Sequence, residues 1–80
     1  MHIESDYDKA LFYTYHCNWN KLLTLMVQTN DHFFSKRIEH FLHAFQYERD
    51  LGIIHEKLQL LFQYIDHAQN QIEQDTTYYH

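Results

Sequence analysis

An all-α domain, built as an antiparallel three-helix bundle, is what the sequence predicts, and three observations predict it. Glycine occurs once, at Gly52, and proline not at all; sandwiches and barrels turn often and draw on both residues. Apolar residues recur at steps of three and four through three long segments separated by short polar breaks. The chain has 80 residues, room for one domain spanning 1–80, and 18% of them are aromatic. Such side chains bury roughly 150–250 Å² each, so a few fill a small core.

The first helix is expected over 6–29. Ser5 can cap it, Asp8 stands where it can return the bond, and Asp6 and Asp8 suit the positive end of the helix dipole. Phe12, Tyr15, Trp19, Leu22 and Met26 fall on one stripe that runs unbroken through His16-Cys17-Asn18, with Leu11 and Leu23 widening it. The competing reading is a break there, capped by Asn18. Thr29-Asn30-Asp31 forms a turn and a capping signal before a second helix over 32–50, whose core stripe is Phe34, Ile38, Phe41 and Phe45, flanked by Leu42. Gly52 suits the positive φ of a helix C-terminus, although a helix continuous through it is the alternative. The third helix, over 53–74, carries Ile54, Leu58, Leu61, Ile65, Ala68 and Ile72 along one face. Residues 1–5 and 75–80 lose this periodicity and are expected to fray.

Net charge is −5 with histidine neutral, and only Lys36-Arg37 are adjacent cations. Nucleic-acid binders concentrate Lys and Arg against phosphate, so no nucleic-acid partner is expected. An anionic membrane surface is disfavoured for the same reason, and no apolar run is long enough to span a bilayer. Cys17, the single cysteine, has no internal disulfide partner, which fits a reduced thiol in the cytoplasm.

Two stretches carry a family likeness: Asp6-Tyr7-Asp8-Lys9-Ala10-Leu11-Phe12-Tyr13-Thr14, and Ser35-Lys36-Arg37-Ile38-Glu39-His40-Phe41-Leu42-His43-Ala44-Phe45. Together with Leu25-Met26-Val27-Gln28-Thr29 between them, they make the chain resemble the YhdB-like family of small Bacillus proteins over roughly residues 6–68. The resemblance implies a bacterial cytoplasmic setting. It implies no activity and carries no site residues over.

Eight histidines stand in the chain. His40 and His43, three apart on a helix, can turn toward one ion, with Glu39 alongside as a carboxylate. His43 and Glu39 lie opposite the core stripe and are expected to face water, and no third or fourth ligand is placed by sequence, so no cofactor is expected. His16 and Cys17 are neighbours that point about 100° apart, which is not a nucleophile–base arrangement. No phosphate-cradling glycine loop or Ser-His-Asp setting is present. The chain is therefore read as non-enzymatic.

Apolar residues outside the core stripes say more. Phe33, Arg37, His40, Ala44 and Tyr47 form a second stripe on the second helix, and Ile53, Lys57, Leu60 and Tyr64 form one on the third. Two stripes mean two contacts, either with both intramolecular neighbours or with a partner. The leading expectation is a helical protein-interaction module, self-associating as a homodimer or serving as an adaptor, with Phe33, Tyr47, Leu60 and Tyr64 as interface anchors. The alternative is a metal- or small-ligand-binding protein using His40, His43 and Glu39.

Overall fold

A computed structural model describes the backbone of residues 5–78 and the side chains of residues 5–70. Within that range there are four helices and no strand: α1 (Asp6–Tyr15), α2 (Trp19–Gln28), α3 (His32–Tyr47) and α4 (Leu51–Tyr78). The all-α class holds. The expected count of three does not, because the segment expected as one helix over 6–29 is two.

The break has a specific cause. Cys17 adopts a φ of 55°, the left-handed region that ends helices. The amide of Asn18 donates to the carbonyl of Tyr13 at 2.8 Å, and that of Cys17 to Thr14 at 3.1 Å. These two bonds make a Schellman turn, which satisfies the last carbonyls of α1. Asn18 then caps α2, its Oδ1 accepting from the Lys21 amide at 3.4 Å. A left-handed residue at this position is usually glycine. Here it is Cys17, so the stop signal lacks its usual letter. For a non-glycine residue the conformation costs about 1 kcal/mol, and Cys17→Gly is expected to raise stability by up to about that amount. Urea denaturation followed by circular dichroism measures the change.

The other ends follow familiar capping chemistry. Ser5 Oγ accepts from the Asp8 amide at 3.1 Å and starts α1. Asp31 Oδ1 accepts from the Phe34 amide at 3.1 Å and starts α3. Asp50 Oδ1 accepts from the Gly52 amide at 2.8 Å at the head of α4. Gly52 therefore lies in the first turn of α4, without a positive φ, and is not the terminator of the preceding helix. That helix ends at Tyr47, three residues short of the expected 50, and α4 begins at Leu51 instead of 53.

Cross-helix pairs fix the topology. Asp6 and Gln28 line one end of the α1–α2 groove, and Tyr13 and Lys21 line the other. Ser35 donates to the Met26 carbonyl at 2.8 Å across α2–α3, while Trp19 packs on Phe41 and Phe45 at the far end. Asp8 pairs with Gln69 and Tyr15 with Phe62 across α1–α4. Each neighbouring pair is thus antiparallel, and the helices close a ring in up-down-up-down order. The α3–α4 seam is the widest and the closing α1–α4 seam the narrowest.

Inside the ring lie Ala10, Leu22, Leu25, Phe34, Ile38, Phe41, Leu61 and Ile65. Ala10 is small and lets α1 approach closely. Thr14, also buried, returns its hydroxyl to the Ala10 carbonyl at 2.7 Å, so no polar group is stranded there. The turn at 16–18 resets the helical phase, and this moves the expected core. Phe12 and Tyr15, expected inside, are exposed, and Ala10 and Thr14 take their places. On α3, Ala44 is buried where Phe45 was expected, and Phe45 turns half outward.

The expected helix end at 74 is passed, since α4 extends to Tyr78. Of the segments expected to fray, residues 1–4 and 79–80 lie outside the described range, as does the side chain of Ile72.

Candidate functional site

Besides the α1–α2 groove, three surface features gather side chains from more than one helix. The first is a polar junction around Asp31. Tyr7 of α1 donates its hydroxyl to Oδ2 at 2.5 Å. The Tyr64 hydroxyl of α4 sits 2.9 Å from Oδ1 and 2.8 Å from Oδ2 and donates to the pair. Beneath them lies Phe34, with its ring centroid 4.8 Å from Tyr7 and 6.2 Å from Tyr64. Partial burial pushes the Asp31 carboxyl upward, but hydrogen bonds from Tyr7, the Phe34 amide, Tyr64 and the Phe33 amide outweigh it, leaving the carboxyl below its ordinary value. Burial and the bond to Asp31 push the Tyr64 phenol up to about 12, and they push Tyr7 higher still. A carboxylate held ionised beside two phenols held protonated neither takes nor gives a proton near neutral pH. The junction is therefore architecture, tying α1, α3 and α4 at one point.

The second feature is a groove of about 510 Å³ along the α3–α4 seam, lined by Lys36, Glu39, His40, His43, Ala44, Glu48, Ile53 and Lys57. The predicted ligands Glu39, His40 and His43 all stand here, exposed. Lys36 Nζ donates to Glu39 Oε1 at 3.2 Å, and the His43 ring lies 4.8 Å from Tyr47. Among the described residues, no three His, Cys, Asp or Glu side chains come together in a group able to hold a metal ion.

Third is a smaller groove, about 290 Å³, between α2 and α3. Its lining is Trp19, Asn20, Leu23, Leu42, Phe45 and Gln46. None of these side chains is charged. The Trp19 ring lies 4.9 Å from Phe45 and forms the floor. Leu23 and Phe45 stand 48% and 46% exposed, and Val27 extends the strip one turn further along α2 at 74%.

The interface anchors expected from sequence divide into two pairs. Phe33 and Tyr47 are 72% and 65% exposed. Leu60 and Tyr64 are half-buried, with the Tyr64 hydroxyl engaged by Asp31. The second stripe of α4 (Ile53, Lys57, Leu60, Tyr64) is half-buried along its length and faces α3. Trp19 and Phe45 are expected in core stripes and Leu42 beside one; Trp19 and Leu42 do pack against the core, and all three, with Phe45 about half exposed, also line the α2–α3 groove. The signal for it was present: Trp19, Leu23 and Val27 recur every fourth residue, on a helix whose core needs only Leu22 and Leu25.

Fold and surface together define, among the described residues, a small antiparallel helical bundle with an uncharged apolar groove between α2 and α3. None of the described helices is long and apolar enough to cross a membrane. The family model for "YhdB-like protein" matches residues 1–72. A protein of Bacillus subtilis strain 168, "Uncharacterized protein YhdB", is 55% identical over 64 residues, covering 80% of each chain. The chain belongs to the YhdB-like family. No solved structure matches it.

Proposed function

We propose that this protein is a non-enzymatic helical interaction module of the bacterial cytoplasm, working through the α2–α3 face. The observation that carries this reading is the uncharged groove of Trp19, Leu23, Leu42 and Phe45, in which Leu23 and Phe45 stand about half exposed. In a chain with 11 acidic and 6 basic residues, a lining of six uncharged side chains is a local departure from the solvated surface. Exposed apolar patches of this kind mark contact sites, and Trp and Phe are among the side chains that dominate binding energy. The cytoplasmic setting is supported by the Bacillus relative and the lone cysteine.

The alternative, a small-ligand or metal site, draws on the α3–α4 groove, and one experiment separates the two. The chain is immobilised and challenged with a lysate of its native cell, which contains further copies of the chain itself. Phe45→Asp is expected to abolish capture, and His43→Ala to leave it intact. Loss with His43→Ala and retention with Phe45→Asp would move the function to the other groove.

A further inference from the structure

We infer that α1 exchanges between copies of this chain: the turn at 16–18 straightens, α1 and α2 become one helix over 6–28, and each α1 docks on α2 and α4 of a second copy. The seat itself names the occupant. Within one chain α1 already fills it, with Ala10 buried in the core, Tyr7 donating to Asp31, Asp8 paired with Gln69 and Tyr15 beside Phe62. The α1 of a second copy carries the same side chains, so each of these contacts re-forms between chains. Exchange of an identical element is a low-cost route to a dimer for that reason. It goes beyond the interaction reading above and leaves the α2–α3 face open on both copies.

The hinge favours the exchange. Cys17 holds a φ of 55° without being glycine, and straightening releases that strain in both copies. Nothing between 6 and 28 forbids a continuous helix, since the segment has neither glycine nor proline. On a straight helix Ala10, Thr14, Leu22 and Leu25, the buried residues of its two halves, stay within about 120° of one another. The stripe of Phe12, Tyr15, Trp19, Leu22 and Met26 becomes continuous as well; in the closed chain the turn interrupts it and leaves Phe12 and Tyr15 49% and 76% exposed. Register closes too. Across the α1–α2 groove Tyr13 stands by Lys21, and Asp6 shares the other end with Gln28, so both pairs are centred on residue 17. Two straightened helices laid antiparallel keep those pairs, now between chains, with Cys17 at the twofold axis. Finally, α1 is the helix least held by its neighbours, so it is the one most easily released.

The test is refolding of the whole chain from urea, at concentrations from low micromolar to near-millimolar, followed by sedimentation. Dimers are expected at the upper end. Cys17→Gly favours the turn over the helix and is expected to weaken the dimer by roughly 100-fold, about tenfold for each of its two turns. Cys17→Ala favours the helix and is expected to strengthen the dimer by about tenfold. A linking experiment then shows which chain each α1 sits on. Asp8→Cys and Gln69→Cys chains, both also carrying Cys17→Ala and differing in mass, are refolded together and treated with a short bismaleimide. An exchanged dimer is linked between chains from position 8 to position 69, and a dimer of closed chains is not. Circular dichroism checks that the variants remain helical. Three results would overturn the exchange: wild type and Cys17→Ala both monomeric at every concentration, a dimer indifferent to Cys17→Gly, or a dimer without the link between chains. A dimer that lacks the link and is lost in Phe45→Asp assigns self-association to the α2–α3 face instead.

Discussion

Asp31→Ala is expected to destabilise the fold by about 3 kcal/mol, combining a lost helix cap with lost charge-assisted hydrogen bonds, discounted for the partial exposure of the site. The α3 cap disappears with it, and the phenols of Tyr7 and Tyr64 lose their common acceptor. For a small domain near the low end of the usual 5–15 kcal/mol, that removes about half of the stability. Asp31→Asn keeps a capping oxygen and loses the charge, so it is expected to fall between the two. Chemical denaturation at neutral pH ranks the three proteins. The same junction makes stability depend on pH at both extremes. The Asp31 carboxyl is depressed below 3.8 in the folded chain. Its contribution is therefore present above that value and is lost as pH falls through the folded value. The Tyr64 phenol is raised from 10.0 to about 12. Its contribution is complete below pH 10 and is lost as pH climbs toward 12. In Asp31→Ala both dependences are expected to flatten.

Phe34→Ala is expected to cost about 3–5 kcal/mol, the range for emptying an aromatic site in a packed core. The ring is fully buried and lies under both tyrosines of the junction. Truncating it leaves a cavity and also frees Tyr7 and Tyr64 to leave Asp31. The two substitutions are therefore coupled: the double variant Asp31→Ala, Phe34→Ala is expected to lose less than the sum of the single losses, by about 1 kcal/mol or more. Strict additivity in a double-mutant cycle would separate the ring from the carboxylate.

Periodicity made much of this architecture readable. Leu61 and Ile65 lie on the expected face of α4, Phe34, Ile38 and Phe41 on that of α3, and Asp31 caps where its turn suggested. Cys17 hid the turn because the left-handed position carries a side chain instead of glycine, and periodicity alone cannot register a reset of phase. The residues before the turn shifted with it: Phe12 and Tyr15 went out and Ala10 and Thr14 came in, while Leu22 after the turn stayed in the core. Trp19 and Phe45 followed the same logic, since a stripe on a wheel does not say which of two flanking neighbours is present. The junction was illegible for another reason. Tyr7, Asp31 and Tyr64 are separated by 24 and 33 residues, and no local pattern links them. His43 and Glu39 are expected to face water, and they do; His40, read on the second stripe, is exposed beside them along a seam that also carries Lys36 and Lys57.

The narrow seam between α1 and α4 bears on the order in which the molecule comes apart. Across it the ties mix polar and aromatic contacts: Asp8 to Gln69, Tyr15 to Phe62, and Tyr7 beside Tyr64 with its hydroxyl on Asp31, the cap of α3. It is the narrowest of the four seams, whereas α3 and α4 share the widest one. The ring is therefore expected to open first at this seam, with the ten residues of α1 detaching at the Cys17 turn, and its amide hydrogen exchange is expected to be faster in α1 than in α3. Its free-energy ladder has a low first rung, reached by detaching α1, and a high second one at which everything melts together.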